Sequence, residues 1–467
     1  MELETRRVLN GDGAFAEIVV DAGEQGDDGQ SDLFEIDVEA GRVTISVNGE
    51  VVNQTNANEI SQVRVIGSTD NDQIRVDFAD RADADFDINI DGRSGDDSLT
   101  IGGQDRFQSL IHLIQQPTSG TVTAQGATNE ISIEYRDLEA IEQELDSAQV
   151  LIDLSQSDAD ALLELGASSR LEVFSDQAAM GLSFRTPDDI LIVETGGEGA
   201  FHENRLEVIG DGSGAGLMRD FLIQGDELDD VRVTGEIVFD GDSFGISAGE
   251  IDWNARLDAI DAHIELAASE SLELDGSSVL ANQRGEIELT AQSIRHDGEI
   301  IANGGRVLLD SGDTGTTLVN GLIDASSVVD TEVGGEIRLL GMHVGLLEQA
   351  VIDVSGSAGG GTALIGGDYQ GENSEVRNAE RTYVSAHAVV MADAIVSGDG
   401  GRVIFWANQW TRFAGTVSAR GGATSGSGGF VEVSGKQSLD YRGTADLSAP
   451  NGEIGLLFLD PQNIVIA

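Results

Sequence analysis

Short alternating segments, each preceded by a glycine, recur through the last third of the chain. Seven copies share an aliphatic third position, and with period 2 this position and the fifth face one side of a strand. Glu286, Glu288, Arg338 and Glu432 then face the other side. The seven third positions are Ile287, Val307, Ile337, Ala363, Val403, Val431 and Ile454.

A second short strand follows each of these segments. Its apolar column is Ile300, Ile323, Ile352, Ile395, Val417 and Ala445. A pair of strands this short cannot bury its own apolar face, so the units persist only by stacking on their neighbours. The intervals between the glycines are 20, 30, 26, 40, 28 and 23 residues, which keeps the strands and varies the loops. The pattern predicts a parallel β-helix, an all-β fold.

The N-terminal part also alternates, but less regularly. Phe34 to Val38 and Val43 to Val47 flank a turn at Gly41, and Asn48-Gly49 predicts a type I′ hairpin into the next strand. Residues 138–145 and 157–165 are the two stretches with helical periodicity. We therefore divide the chain into a β-rich region with acidic glycine turns (1–145), an irregular β-solenoid (146–280) and a regular β-helix (281–467).

Short motifs occur in order through the last region. They are GGDYQG (366–371), RTYV (381–384), GDGG (398–401), VIFWA (403–407), GGFVEVSGK (428–436), APNG (449–452) and LDPQNI (459–464). These motifs resemble those of the filamentous-haemagglutinin-like adhesins, which are large bacterial exoproteins commonly exported by two-partner secretion. The resemblance covers about residues 285–467. It implies a right-handed parallel β-helix, located extracellularly or on the outer cell surface, and an outer-membrane translocator as a partner in export.

The first residues carry a weaker resemblance. Leu3 to Asn10, LETRRVLN, is similar to a Leu-Glu-x-Arg motif found near the start of large bacterial surface proteins, usually after a cationic leader. An ordinary amphipathic N-terminus is the alternative. The stretch before it has no apolar region of a signal peptide, so we expect an export signal to lie outside this sequence.

The net charge and the lack of cysteine exclude several classes of partner and of metal site. The net charge is −58 and Lys436 is the only lysine, so the surface repels nucleic acid and anionic lipid. Without cysteine the chain can form neither disulfides nor a thiolate-ligated metal site. No apolar run approaches the ~20 residues of a membrane-spanning helix.

Two acidic turns are candidates for calcium binding. Residues 67–74 (GSTDNDQI) and 92–99 (GRSGDDSL) each fit the calcium-binding nonapeptide of β-roll proteins, with its second glycine replaced. The candidate ligands are Asp70, Asp72, Asp96 and Asp97. The alternative is a pair of solvated turns that close two rungs of the solenoid, and no other cofactor is indicated.

The functional prediction is a non-enzymatic structural or adhesive segment, an acidic β-helical stalk. It would attach to cell-surface glycans, to proteins of other cells or to extracellular matrix. Trp406 and Trp410 are the candidate ligand surface, because both are expected to point outward from one strand; packing under a neighbouring loop is the alternative. A secreted carbohydrate-active β-helix enzyme, a polysaccharide lyase or glycoside hydrolase, is the alternative function. It would require convergent carboxylates beside an aromatic groove.

Overall fold

The computed structural model describes residues 4–9, 16–22, 30–79, 86–104, 106–127, 130–166, 169–176, 178–196, 203–212 and 220–466. The chain divides into two compact units, Met1–Asp229 and Asp230–Ala467. Both are all-β within the described residues, where the only helical turns are two 3-10 turns, at Ala57–Glu59 and Tyr369–Gly371. None of these described helices is long and apolar enough to span a membrane.

The described part of the first unit contains twenty strands. In chain order they are β1 (Glu4–Leu9), β2 (Ala16–Asp21), β3 (Leu33–Glu39), β4 (Arg42–Val47), β5 (Glu50–Asn56), β6 (Ile60–Ile66), β7 (Gln73–Phe78), β8 (Asp87–Asp91), β9 (Ser98–Gly103), β10 (Arg106–Gln116), β11 (Ser119–Gln125), β12 (Glu130–Arg136), β13 (Ala140–Gln143), β14 (Asp146–Asp153), β15 (Asp160–Leu165), β16 (Ser169–Phe174), β17 (Ala179–Phe184), β18 (Ile190–Glu194), β19 (Arg205–Asp211) and β20 (Asp220–Gln224). Residues 4–9 of the Leu-Glu-x-Arg motif form β1, whereas Leu3 and Asn10 lie outside the described residues.

Parallel columns organise the first unit. One column runs β2, β6, β8, β12, a second β3, β7, β9, β13, β17, and a third β10, β14, β18, β20. Antiparallel hairpins are inserted between rungs, as in β3–β4–β5 and β15–β16–β17. This unit is therefore a solenoid interrupted by hairpins, and parallel pairing continues through residue 146, from β10 to β14.

Local turn chemistry accounts for one of these hairpins. Val47 pairs with Glu50, which leaves Asn48 and Gly49 as a two-residue loop. Their φ angles are +52° and +81°. Both central residues of a type I′ turn need positive φ, which asparagine and glycine tolerate best. The predicted Asn48-Gly49 hairpin is confirmed.

The two stretches with helical periodicity form strands and not helices. Residues 138–145 contain β13 and residues 157–165 contain β15. In β15, Ala161, Leu163 and Leu165 are buried at alternate positions, and β15 pairs in parallel with β19. Leu162 is apolar as well, so three apolar residues follow one another in this stretch and resemble the apolar stripe of a helix. Pairing with neighbouring rungs overrides this weak local preference.

The second unit contains the remaining strands of the described residues. They are β21 (Asp230–Phe239), β22 (Ser243–Ile260), β23 (His263–Leu274), β24 (Val279–Gln283), β25 (Glu286–Thr290), β26 (Ser293–His296), β27 (Glu299–Ile301), β28 (Arg306–Asp310), β29 (Thr316–Val319), β30 (Leu322–Asp324), β31 (Glu336–Leu340), β32 (His343–Leu346), β33 (Val351–Asp353), β34 (Thr362–Ile365), β35 (Arg381–Val384), β36 (Val389–Met391), β37 (Arg402–Ala407), β38 (Trp410–Phe413), β39 (Thr416–Ser418), β40 (Phe430–Gly435), β41 (Ser438–Tyr441), β42 (Thr444–Asp446), β43 (Leu456–Phe458) and β44 (Asn463–Ile466).

From β25 to β42 each rung has three strands, not the two that the sequence suggested. The first strands stack in the order β25, β28, β31, β34, β37, β40, β43. The second strands begin at β26 and the third at β27, and both form parallel columns with the same three-strand step. The predicted parallel β-helix is therefore present, with a middle strand of about four residues that the glycine pattern did not reveal.

The predicted inward column is confirmed over six rungs. Ile287, Val307, Ile337, Ala363, Val403 and Val431 face one another in register, and each is at most 1 % exposed. A second inward ladder contains Thr317, Thr382 and Thr411. Each threonine donates its hydroxyl to a main-chain carbonyl at the end of the next rung's first strand, at 2.7 Å. The buried hydroxyls thereby hold the corner between the first and second strands.

Two members of the predicted columns are wrong. Leu457, not Ile454, pairs with Val431, and Ile454 is 79 % exposed. Gly455 is the glycine that begins this rung, since a Cβ there would lie 2.3 Å from the Gly429 carbonyl. In the other column Val390 pairs with Ile352, and Ile395 is 48 % exposed in the loop that follows.

Candidate functional site

The two acidic turns lie on neighbouring rungs of the first unit. β7 and β9 pair in parallel, with Gln73 opposite Ser98 and Ile74 opposite Leu99. The interval of 25 residues between equivalent positions therefore corresponds to one rung. This places Asp72 next to Asp97 along the solenoid, at the stacked starts of the two strands.

Their carboxylates accept hydrogen bonds from the main chain. Asp72 Oδ1 accepts the Asp32 N–H at 3.1 Å, and Asp97 Oδ1 accepts the Asp72 N–H at 2.7 Å. Glu139 Oε2 accepts the Asp97 N–H at 2.7 Å. Each carboxylate thus satisfies the amide of an acidic residue on a neighbouring rung. We call Asp32, Asp72, Asp97 and Glu139 the carboxylate ladder.

The ladder is buried at its centre. Asp72 and Asp97 are each 1 % exposed, and Asp97 Oδ2 has no hydrogen-bond partner among the described residues. Burial is the largest cause that raises the pKa of Asp97, to about 7. The hydrogen bond from the Asp72 N–H lowers this pKa, whereas the charges of Asp72, Glu139 and Asp96 raise it further. A carboxyl with this pKa titrates near neutrality, and its ionisation in the buried position destabilises the folded turn.

The four candidate calcium ligands are not equivalent in the structure. Asp72 and Asp97 belong to the carboxylate ladder, Asp70 is half-buried, and Asp96 is exposed. Among the described residues, no group of three or more Asp, Glu or His side chains is arranged to hold a metal ion. Main-chain amides already bind the two buried carboxylates, so calcium binding remains a hypothesis for these turns.

Thermal melts can test this hypothesis. Because Asp72 and Asp97 already accept amide hydrogens, we expect millimolar calcium and magnesium at matched ionic strength to raise the Tm equally. Both ions would then act only by screening the −58 net charge. A larger shift with calcium, lost in Asp72→Asn, would contradict this expectation and support a specific oxygen-ligand site.

A loop in the second unit covers the other sequence candidate, Trp406. This covering loop (residues 366–380) connects β34 to β35 and includes the 3-10 turn Tyr369–Gly371. Trp406 alternates with the inward Val403 and Phe405, so it faces away from the inner core, as expected. It is nevertheless only 4 % exposed, because it packs in an outer cluster formed by Leu340, Leu364, Val376 and Ile404.

Ion pairs and hydrogen bonds hold the covering loop on distant rungs. Asp368 pairs with Arg402, while Arg377 pairs with Asp310 at 3.0 Å and also with Asp313. On the other side, Gln370 Nε2 donates to Asp460 Oδ2 at 3.1 Å. The loop therefore crosses rungs from the β28 strand to the segment after β43.

Glu432 lies under this loop. It faces away from the inner core, as the alternation along β40 indicates, yet it is 0 % exposed. Glu432 Oε2 accepts the Gln370 N–H at 3.2 Å, and within the described part of the chain Oε1 has no hydrogen-bond partner. Burial is the main cause that raises its pKa, with a smaller contribution from Asp460, against hydrogen bonds from Ser434 and Gln370 that lower it.

Gly371 is the point of closest approach between the covering loop and Trp406. Its φ is +65°, and a Cβ at this position would lie 2.6 Å from the indole ring. Gly371→Val should therefore displace the loop, raise acrylamide quenching of Trp406 fluorescence and lower the free energy of unfolding by about 1–3 kcal/mol. A W410F background reports this quenching, because Trp253 is fully buried. Gly312→Val is the matched control for backbone strain, because its φ is +73° and no atom of the described residues lies within 4 Å of a Cβ there.

The other candidate, Trp410, is not on the same strand as Trp406. It begins β38, stacks between Arg381 and Ser438, and is 36 % exposed. The sequence expectation that both tryptophans share one strand is wrong, because Asn408 and Gln409 form a corner between β37 and β38. Of the two indoles, only that of Trp410 is accessible to a ligand.

Comparisons with known proteins add one finding. No protein-family model and no curated protein matches the chain. Among solved structures, the chain has a likeness to the crystal structure of the HMW1 secretion domain from Haemophilus influenzae. The identity is 15 %, the TM-score is 0.34, and all of both chains is covered. A TM-score this low carries no argument, so the assignment of the β-helix rests on the strand register described above.

Proposed function

We propose that this chain is a non-enzymatic segment of a cell-surface or secreted protein, a β-helical stalk that mediates attachment. The observation that carries the proposal is the stack of first strands from β25 to β43, held in register by one aliphatic column. Successive rungs are about 4.8 Å apart, so seven of them form a rod-like wall about 30 Å long. Such a wall can act as a spacer that holds a binding site away from the point where the protein is anchored, and this role requires no catalytic residues.

The partners follow from charge and from the sequence motifs. Cell-surface glycans, proteins of other cells and extracellular matrix are the proposed attachment partners. An outer-membrane translocator is the proposed export partner, by resemblance to the filamentous-haemagglutinin-like adhesins. Calcium binding at the acidic turns is a separate hypothesis, which the thermal melts described above test, and the attachment function does not depend on it. Nucleic acid is not among the proposed partners, because the −58 charge opposes it.

Attachment can be measured directly. Beads coated with the whole chain should adhere to epithelial cells or to matrix-coated surfaces more than beads coated with albumin of similar surface density. Adhesion should fall when the chain is thermally unfolded before coating. Equal adhesion of the two coatings would contradict the proposal. Incubating the chain with a panel of polysaccharides and measuring new reducing ends or unsaturated products tests the enzymatic alternative in the same material.

A further inference from the structure

Two arginines and two aromatic residues form a small array on the outward face of the second strands. Arg381 and Tyr383 lie on β35, Trp410 and Arg412 lie on β38 of the next rung, and the residues that alternate with them are buried. In the parallel register Arg381 is opposite Trp410, and Tyr383 is opposite Arg412. Each aromatic ring therefore has one arginine beside it on the neighbouring strand and another along its own strand. We call these four residues the arginine–aromatic array.

Arg381 is a cation without a partner in the described part of the chain. It is exposed, and it forms no ion pair or side-chain hydrogen bond with the described residues. Other outward arginines of this unit, such as Arg295 and Arg338, pair with a carboxylate two residues away in the chain. The chain has 84 acidic residues against 26 Lys and Arg, so carboxylates are abundant. An arginine that none of them neutralises is available to an anion from outside the chain.

Contacts within the face orient the second arginine of the array. Arg412 Cζ lies 5.9 Å from the centre of the Tyr383 ring, and Arg412 Nε lies 3.7 Å from Asp440 Oδ2. A guanidinium over an aromatic face gains a cation–π attraction, which holds it in place. The same Asp440 pairs with Arg442 at 2.8 Å. One carboxylate is thus shared by two arginines, and Arg412 keeps part of its charge for a ligand.

The face is locally cationic although the chain is acidic. On β35, β38, β41 and the residues that flank them, three arginines, Arg381, Arg412 and Arg442, face two carboxylates, Glu380 and Asp440. Charges farther away are screened, since the screening length at physiological salt is about 8 Å. A short acidic ligand on the array would therefore interact mainly with these arginines. A nucleic acid or an anionic membrane would extend over the surrounding acidic surface and is repelled.

Trp410 provides a flat apolar surface beside both guanidinium groups. It is 36 % exposed, and Ser438 lies in register on its other side and is also exposed. Because neighbouring strands are about 4.8 Å apart and alternate residues about 7 Å apart, the array has the size of one sugar ring with its substituent. An indole can stack on the C–H face of such a ring. A guanidinium binds a carboxylate through two parallel hydrogen bonds.

We propose that the arginine–aromatic array binds an acidic saccharide, a glycan whose ring carries a carboxylate. Trp410 stacks on the ring, Arg381 binds the carboxylate, and the Ser438 hydroxyl binds a ring hydroxyl. A neutral glycan would leave Arg381 without a partner, and a simple anion would make no use of the indole. The proposal rests on the proposed attachment function, for which it names a glycan class and a site.

Calorimetric titration of the whole chain tests the array with three probes. They are a galacturonic acid tetramer, its neutral methyl ester, and citrate as an anion without a sugar ring. At about 0.15 M salt, we expect the acidic tetramer to bind at least about tenfold more tightly than either control. Equal or tighter binding of the methyl ester would overturn the role of the arginines. Equal binding of citrate would overturn the stacking on Trp410, and absence of tetramer binding would overturn the whole proposal.

Fluorescence locates the binding at the array. Trp410 is the exposed indole, because Trp253 is fully buried and Trp406 is only 4 % exposed. The acidic tetramer should therefore shift the tryptophan emission of the wild-type chain, and Trp410→Phe should abolish this shift. A shift that persists in Trp410→Phe would place the ligand elsewhere and overturn the proposal.

Substitutions distinguish the array from other exposed positions. Trp410→Ala and Arg381→Gln should each weaken tetramer binding about tenfold, and Arg381→Lys should weaken it less, because lysine keeps the charge but not the planar fork. The matched controls are Arg306→Gln and Tyr369→Ala, an exposed arginine and an exposed aromatic residue of the same unit outside the array. Unchanged binding in Trp410→Ala and Arg381→Gln, or an equal loss in the controls, would overturn the proposal.

Attachment and turnover assays separate this proposal from the function on which it rests. Cell or matrix adhesion that persists when Trp410→Ala and Arg381→Gln have lost tetramer binding would leave the attachment function standing and overturn the array as its site. Absent adhesion of the wild-type chain with intact tetramer binding would overturn the attachment function alone. Release of shorter oligomers from the tetramer would show an active site, and would overturn a role limited to binding.

Discussion

Val431→Asp is expected to unfold the rungs around β40. Val431 is 0 % exposed and lies in register between Val403 and Leu457. An aspartate there would place a charge without a partner among aliphatic side chains, which costs several kcal/mol. In a solenoid each rung contacts mainly its neighbours, so the loss should spread to β37 and β43 before more distant rungs. Hydrogen exchange on the two sides of Val431 and thermal unfolding measure this effect.

Ile454→Asp is the matched control, because it introduces the same charge at a position that the sequence pattern assigned to the same inward column. The sequence placed Ile454 inside, whereas the structure leaves it 79 % exposed and places Leu457 in the column. We therefore expect Ile454→Asp to change the free energy of unfolding by less than about 0.5 kcal/mol. A large loss in Ile454→Asp, or an unchanged transition in Val431→Asp, would show that the rung register described here is wrong.

Asp97→Asn is expected to stabilise the first unit above pH 7. The pKa of Asp97 is raised to about 7 by burial, from 3.8 for an ordinary aspartate. The folded state therefore holds a proton between these pH values that the unfolded state has released. Wild-type stability is fully present below about pH 4, falls as the pH rises, and is lost by on the order of 4 kcal/mol above pH 7. Asparagine keeps the Oδ1 acceptor for the Asp72 N–H and carries no charge.

The difference between variant and wild type isolates this residue from the other acidic groups. Denaturant unfolding at pH 4, 6 and 8 should show nearly equal stability at pH 4 and the largest gain of Asp97→Asn at pH 8. Asp96→Asn removes the same charge from the exposed neighbouring position, and its gain in stability at pH 8 should be much smaller than that of Asp97→Asn. A gain for Asp97→Asn that is the same at all three pH values would mean that the ionisation of Asp97 does not limit stability.

The sequence predicts the stacked first strands because their chemistry repeats at every rung. A glycine corner and an aliphatic third position identify Ile287 to Val431 without any knowledge of loop conformation. The errors occur where loops supply competing apolar residues. Ile395 and Ile454 look like core residues by composition, but the neighbouring rungs select Val390 and Leu457 by register. The short second strand is harder to recognise, because buried threonines such as Thr317 and Thr382 share its inward face with Val319 and Val384.

The candidate sites were less predictable because they depend on contacts between distant residues. The spacing of the two acidic turns left open whether Asp72 and Asp97 stack, and the pairing of β7 with β9 shows that they do. Only the structure shows that main-chain amides of neighbouring rungs occupy their carboxylates. Alternation along β40 and β37 gave the outward directions of Glu432 and Trp406. Both side chains are buried because the covering loop passes over them, and its glycines permit this close approach. The path of a loop cannot be predicted from the periodicity of the strands.

The covering loop has a mechanical consequence. Through Arg377 it is tied to Asp310, and through Gln370 to Asp460, positions 150 residues apart in the chain. Without such a tie, tension at one end would peel a solenoid open one rung at a time. With it, the intervening strands share the load until the loop detaches, after which up to about 500 Å of extended chain becomes available. With the covering loop in place, the rungs would therefore unfold under tension only above the force that detaches the loop, and not gradually one rung at a time.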